Sequence, residues 1–185
     1  VASNIAAGLS RVDSSRAEVY QNNADAYRQD LYKRLFGADL VGYMGGPTLE
    51  RLARSGRLRE FLQAKGLSNR LGGWLAQSKP GHKVTYYHSS WVYLNERFDI
   101  EQIGVIEDRP GVSPSAAHKK RLAAVMTREG CQRLGVATYY GERIPKALSS
   151  ETGVPMVWLP TDVGAMPGTD TYFALIDTIV ARLFE

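Results

Sequence analysis

Between Val84 and Leu183 four short β-branched or apolar runs alternate with amphipathic stretches, and this alternation limits the fold more than any other feature of the chain. The runs Val84–Tyr87, Gln102–Ile106, Leu134–Thr138 and Met156–Leu159 have strand length and composition, and each is followed by helical spacing. Strand and helix in strict alternation is the pattern of a parallel sheet covered on both faces, because each parallel connection must cross back over the sheet. Ser89 or Ser90 is expected to cap the first of these helices. Ser113-Pro114 is expected to open the second, with Leu122, Val125 and Met126 on its buried face. Gly153 ends the third. The last has a broad apolar stripe of Tyr172, Leu175, Ile176, Ile179, Val180 and Leu183 after a cap at Thr169 or Asp170.

The first half reads differently. Ile5 and Leu9 suit a helix over Val1–Ser10, and Ser15-Arg16-Ala17-Glu18 has the form of a capping box. A long helix to Phe36 follows, with Tyr20, Ala24, Tyr27, Leu31 and Leu35 along one narrow stripe; Gly37 closes it. Gly42, Gly45, Gly46 and Pro47 are expected to form turns before Thr48 caps another helix. Short amphipathic pieces from Leu49 to Leu75 carry Arg51, Arg54, Arg57, Arg59, Lys65 and Arg70. These basic residues suit either a solvated helical insertion or a surface for an anionic partner. The expected class is therefore α/β: a small four-stranded parallel sheet with helices on both faces, preceded by a long helix and a helical insertion. The expected divisions are 1–36, 37–80 and 81–185.

Composition narrows the chemistry. The single Cys131 excludes an internal disulfide and any cysteine-built zinc cluster, so a metal would have to use imidazole and carboxylate. The net charge of +4 gathers in the middle of the chain rather than along it. No run approaches the roughly 18 apolar residues of a membrane span, and the opening at Val1 has no signal-peptide pattern. That opening already looks helical, so a longer parent protein is expected.

Open parallel sheets place ligands beyond the carboxyl ends of their strands. The residues just past the four runs are His88, then Glu107 and Asp108, then Tyr139 and Tyr140, then Asp162. His88 and Asp162 make half of a metal site, since zinc takes four donors and accepts both types. A histidine at a helix start equally suits a hydrogen bond to a neighbouring loop, and the residues alone leave both readings open. His82 is expected in a solvent-facing turn, His118 partly buried and satisfied on the Leu122 helix face, and Tyr86 and Trp91 in the core. No G-x-S-x-G or G-x-G-x-x-G occurs. A small α/β enzyme with His88 as general base and Glu107 or Asp162 as its orienting carboxylate remains an alternative, as does a basic nucleic-acid-binding module.

Three spaced motifs add a resemblance. Y-Y-H-S-S-W-V-Y-L, I-G-V-I-E-D-R-P-G-V-S-P-S-A-A-H and L-P-T-D-V-G-A-M-P-G-T-D-T-Y-F-A-L occur in the order found in the C-terminal lobe of the zinc- and manganese-binding solute receptors of bacterial ABC importers, the cluster 9 family. N-I-A-A-G-L-S-R-V-D and the long helix resemble that family's inter-lobe segment, while the basic stretch from about Gly37 to Lys79 resembles a variant subgroup. The resemblance implies a binding protein rather than an enzyme, with metal ligands at His88 and Asp162 and no catalytic residues. It implies zinc, with manganese possible, as the bound ion, because manganese-preferring relatives tend to have a carboxylate where this chain has His88. The implied partners are the divalent ion, an ABC permease and the N-terminal lobe of the same protein, with no nucleic acid. The implied place is periplasmic, or extracellular and membrane-associated, with the signal peptide of the parent outside this sequence. The long helix would act as a stiff strut between lobes, keeping metal-linked movement small.

Overall fold

The computed structural model describes residues 1–109 and 111–185, so Pro110 of the second motif lies outside the described residues. It divides into two compact units, Val1–Ala76 and Gln77–Glu185.

The first unit is helical. Helix α1 (Ala2–Val12) packs on the 20-residue α2 (Ala17–Phe36), and Arg28 Nη1 donates to Ser3 Oγ at 3.2 Å between them. The contact is made by small residues, with Ala6 and Ala24 buried, whereas Ile5, Leu9 and Val12 are exposed. The expected capping box does not form. Ser15 Oγ donates instead to Asp13 Oδ1 at 2.6 Å, Arg16 and Tyr20 also bond Asp13, and a 3₁₀ turn over Ser14–Arg16 delays α2 to Ala17. A single carboxylate with three donors thus takes the hydroxyl that would have capped the helix.

The glycine cluster is mostly helix, not turn. Helices α3 (Ala38–Met44) and α4 (Gly46–Arg54) are separated from α2 and from each other by Gly37 and Gly45 alone, both at positive φ. Proline occupies the first turn of α4, so Thr48 lies inside the helix rather than capping it. Helix α5 (Leu58–Ala64), a 3₁₀ turn (Ser68–Arg70) and α6 (Gly73–Gln77) complete the segment, with Leu40, Leu49, Leu58, Leu62 and Trp74 in its core. Part of its positive charge is used internally: Arg70 bonds Asp39 at 3.0 Å and lies over the Tyr43 ring, and Arg59 donates to the Leu75 carbonyl.

The second unit is the expected doubly wound sheet. Strands β1 (His82–Tyr86), β2 (Ile100–Val105), β3 (Arg133–Ala137) and β4 (Met156–Leu159) are all parallel, in the order β2-β1-β3-β4. Between them run α7 (Val92–Phe98), α8 (Ala116–Glu129) and α9 (Arg143–Thr152), and α10 (Tyr172–Phe184) follows β4. On one side Leu122, Ala123 and Met126 of α8 and Leu148 of α9 join Ile106, Leu134, Val136 and Val154 in one buried cluster. Ala123 takes the place expected for Val125. On the other side Phe184 of α10 packs against Phe98 of α7, and the buried Tyr86 hydroxyl donates to Asn95 at 2.7 Å. Tyr86 is core as expected; Trp91 is half-buried, 6.5 Å from the Tyr86 ring. Gly135 makes room for that tyrosine, because a Cβ there would meet both Tyr86 and Leu159.

Three helix caps fall elsewhere than expected. Ser115, not Ser113, accepts from the His118 amide at 3.1 Å, moving the α8 start beyond Pro114. Thr171, not Thr169 or Asp170, caps α10 by accepting from the Ala174 amide, and Tyr172 is exposed. Helix α7 starts after Trp91 without a side-chain cap, because Ser89 exchanges hydrogen bonds with Gln102 instead.

His82 is also not where the sequence placed it. It opens β1 with 4% exposure, its ring 5.0 Å from Phe184, and neither ring nitrogen has a well-formed hydrogen bond among the described residues. The strand begins two residues earlier than its β-branched run, and the C-terminal helix closes over that end of the sheet.

Candidate metal centre

The chain leaves β1 towards β2 on one side and returns to add β3 and β4 on the other, so the strand order reverses between β1 and β3. The loops after these two strands lead away to opposite faces, which opens the crevice where sheets of this kind take ligands. His88 lies two residues beyond β1, at that crevice. Pairing outlasts the strands: the Ile106 amide donates to the Tyr86 carbonyl and the Glu107 amide to the Tyr87 carbonyl, each at 2.9 Å, and the Tyr87 amide donates to the Gly135 carbonyl. The backbone entering His88 is therefore held from both neighbouring strands.

His88 is half-buried, and its Nδ1 is buried with no hydrogen-bond partner among the described residues. That leaves Nε2 as the nitrogen that meets solvent or a ligand. The competing expectation, a histidine bonded to a neighbouring loop, has no side-chain hydrogen bond among the described residues. His118 shows the contrast: its Nε2 meets the Val105 carbonyl at 3.0 Å and its Nδ1 meets Asp108 at 3.1 Å, so it is satisfied as expected.

Asp162 is three residues beyond β4, on the same edge of the sheet, and its side chain is exposed. Among the described residues only Thr161 bonds that carboxylate, at 3.0 Å. Its loop is fixed by Thr169, which is fully buried and both accepts from the Met166 amide at 3.1 Å and donates to the Met166 carbonyl at 2.7 Å. One strand, β3, separates the two donors, so their strands are about 10 Å apart at a spacing of about 4.8 Å per pair. Among the described residues no three His, Cys, Asp or Glu side chains gather as a metal-binding group.

The sequence placed Tyr139 and Tyr140 just past β3 but did not foresee that Tyr140 stacks on Tyr87. The Tyr87 and Tyr140 rings stack at 4.0 Å with 12° between their planes, and Tyr139 follows at 4.5 Å. Burial raises the Tyr87 hydroxyl pKa, and the Glu107 charge adds to it. Burial, a hydroxyl bond with Tyr139 and the Glu107 charge push Tyr140 up to about 12. These phenols therefore stay neutral. The sequence signal was present as two tyrosine doublets, Tyr86-Tyr87 and Tyr139-Tyr140, at the ends of strands that turn out to be neighbours.

Residues 63–185 match the family described as zinc-uptake complex component A, periplasmic. The chain belongs to this family. The match takes in the whole sheet and every candidate donor, and stops short of α1 to α4 and most of α5. No curated protein matches the sequence. Among solved structures, the solute-binding protein FpvC of Pseudomonas aeruginosa in complex with Mn2+ is 19% identical, with a TM-score of 0.54 over 97% of this chain and 56% of its own. The laminin-binding protein Lmb of Streptococcus agalactiae, described as an adhesin with metal-transporting activity, is 17% identical, with a TM-score of 0.61 over 97% and 58%. A Cd-bound periplasmic metal-binding protein of Candidatus Liberibacter asiaticus is 16% identical, with a TM-score of 0.61 over 99% and 57%. At such identities the likeness concerns the fold. The chain spans between about half and three fifths of the length of these structures.

Proposed function

We propose that this member of the zinc-uptake component A family is the metal-binding α/β lobe of an extracytoplasmic receptor, which captures a divalent ion and passes it to an ABC permease without chemical change. The observation that carries the reading is His88: a half-buried imidazole at the sheet's reversal point, one nitrogen enclosed and without a partner among the described residues, the other left for a ligand. Relatives of similar fold are described with Mn2+, Ni2+ or Cd bound, which supports a divalent cargo. Imidazole with a single carboxylate tilts the preference towards zinc over manganese, which favours oxygen donors. His88 supplies a borderline nitrogen donor, and Asp162, on a loop braced by Thr169, supplies a negative oxygen that lowers the net charge of the bound ion.

Two donors leave a four-coordinate ion half dressed. We place the remaining ligands in a further lobe of the parent protein, corresponding to the part of the solved relatives that this chain does not cover. The present residues fold around an apolar core that needs no ion, and bind zinc weakly by themselves. Calorimetry with zinc tests the assignment. His88→Ala and Asp162→Ala should each weaken binding by more than the roughly 10–100-fold typical of losing a group that merely orients a ligand. Binding unchanged in His88→Ala would place the metal elsewhere. In the chain alone, thermal stabilisation as large as about 4 kcal/mol by micromolar zinc, the amount expected at about 1,000 times the dissociation constant, would mean a complete site inside these residues and contradict the two-donor reading.

A further inference from the structure

A metal-bound histidine is ordinarily aimed by a hydrogen bond from its other ring nitrogen to a carboxylate or carbonyl, which fixes both tautomer and direction. His88 lacks that device: its Nδ1 is enclosed and has no partner among the described residues. His118, by contrast, has an acceptor at each nitrogen. Among the described residues, then, no hydrogen bond sets the direction of the His88 side chain.

The candidate is the aromatic stack that the preceding residue, Tyr87, makes with Tyr140. Tyr87, the residue before His88, is tied by its amide to Gly135 of β3 and by its carbonyl to Glu107 beyond β2. Its ring lies nearly parallel to that of Tyr140 at 4.0 Å, and Tyr140 belongs to the loop after β3, turned inwards by a 3.0 Å bond from its amide to the Ala137 carbonyl. Both rings pack against the buried cluster under α8 and α9. The stack therefore links the end of β1 to the loop after β3 on the face that α8 and α9 cover. On the far side of His88 the Ser90 amide donates to the His88 carbonyl at 2.9 Å, and Ser89 exchanges hydrogen bonds with Gln102.

We propose that Tyr140 is a positioning residue for His88: by clamping the Tyr87 ring it fixes the backbone from which the imidazole projects and holds Nε2 towards the crevice. The role belongs to the flat ring face, since offset stacking of aromatic rings depends on planar contact rather than on the hydroxyl. It rests on the reading of His88 as a metal ligand for its functional consequence, but not for the positioning itself.

The test uses the whole chain with Tyr140→Ala, Tyr140→Phe and Tyr140→Leu, read by the His88 imidazole resonances without metal and by zinc calorimetry. His88→Ala identifies those resonances by their loss. Tyr140→Phe should keep a single sharp His88 signal and the zinc affinity of the unchanged protein. Tyr140→Leu, which fills much of the volume without a flat face, should broaden or move the signal and weaken zinc about 10-fold, as should Tyr140→Ala. If Tyr140→Ala does not fold, the leucine variant decides. A His88 signal and affinity unchanged in Tyr140→Leu would overturn the proposal, and so would equal losses in Tyr140→Phe, which would assign the role to the hydroxyl. If zinc binding survives His88→Ala, the metal reading fails, while the metal-free imidazole signals still decide whether Tyr140 positions His88.

Discussion

Acid should loosen the second unit through His82, and the size of the effect follows from its surroundings. The ring is 4% exposed and lies against Phe184, so burial lowers its pKa below the ordinary 6.5. The Leu183 backbone, second to burial, opposes this shift, and the charges of Arg133 and Lys79 lower the pKa a little further. The folded state therefore binds this proton less readily than the unfolded chain does. Stability is full above pH 6.5 and falls as pH drops below it, by at most about 1.4 kcal/mol per pH unit for one proton. Between pH 7.5 and 5.5 the loss reaches at most about 1.4 kcal/mol, because the unfolded histidine is only partly charged near its own pKa. For a chain of this size that lowers the melting temperature by roughly 3–6 °C. Melting curves at the two pH values, compared with His82→Leu, isolate the effect from His88, His118 and the carboxylates. The variant should lose less than the unchanged protein by about that amount. An equal loss in both would refute the buried, uncharged imidazole.

Other substitutions probe the local physics. Gly73→Ala should cost about 3 kcal/mol or more in urea unfolding, because Gly73 is at φ +62° and an added Cβ would collide with the Arg34 carbonyl. Ser115→Ala should cost about 1 kcal/mol by removing the α8 cap, whereas Ser113→Ala should change stability little. Met126→Ala, in the fully buried cluster under the sheet, should cost about 2–5 kcal/mol in the same assay.

The alternation of runs at Val84, Gln102, Leu134 and Met156 was enough to read the parallel sheet, since period and composition there report burial on both faces. Strand ends were also legible, which is why His88 and Asp162 could be placed on one edge. What escaped were competitions between partners that sequence spacing does not rank. Ser15, Ser89 and Thr169 each had a helix to cap and bonded elsewhere, to Asp13, Gln102 and Met166. His82 looked like a turn residue because its burial depends on Phe184, a hundred residues away along the chain. The Tyr87–Tyr140 stack depends on β1 and β3 being neighbours, which periodicity along either strand does not encode.

The most direct test of the central claim is an anomalous difference map collected at the zinc edge from crystals of the whole chain grown with zinc. The account predicts a peak in the crevice at the carboxyl edge of the sheet, within bonding distance of His88 Nε2 and on the Asp162 side, with its remaining coordination filled by water or by a neighbouring molecule. A peak at His82 or His118, with none at His88, would contradict it.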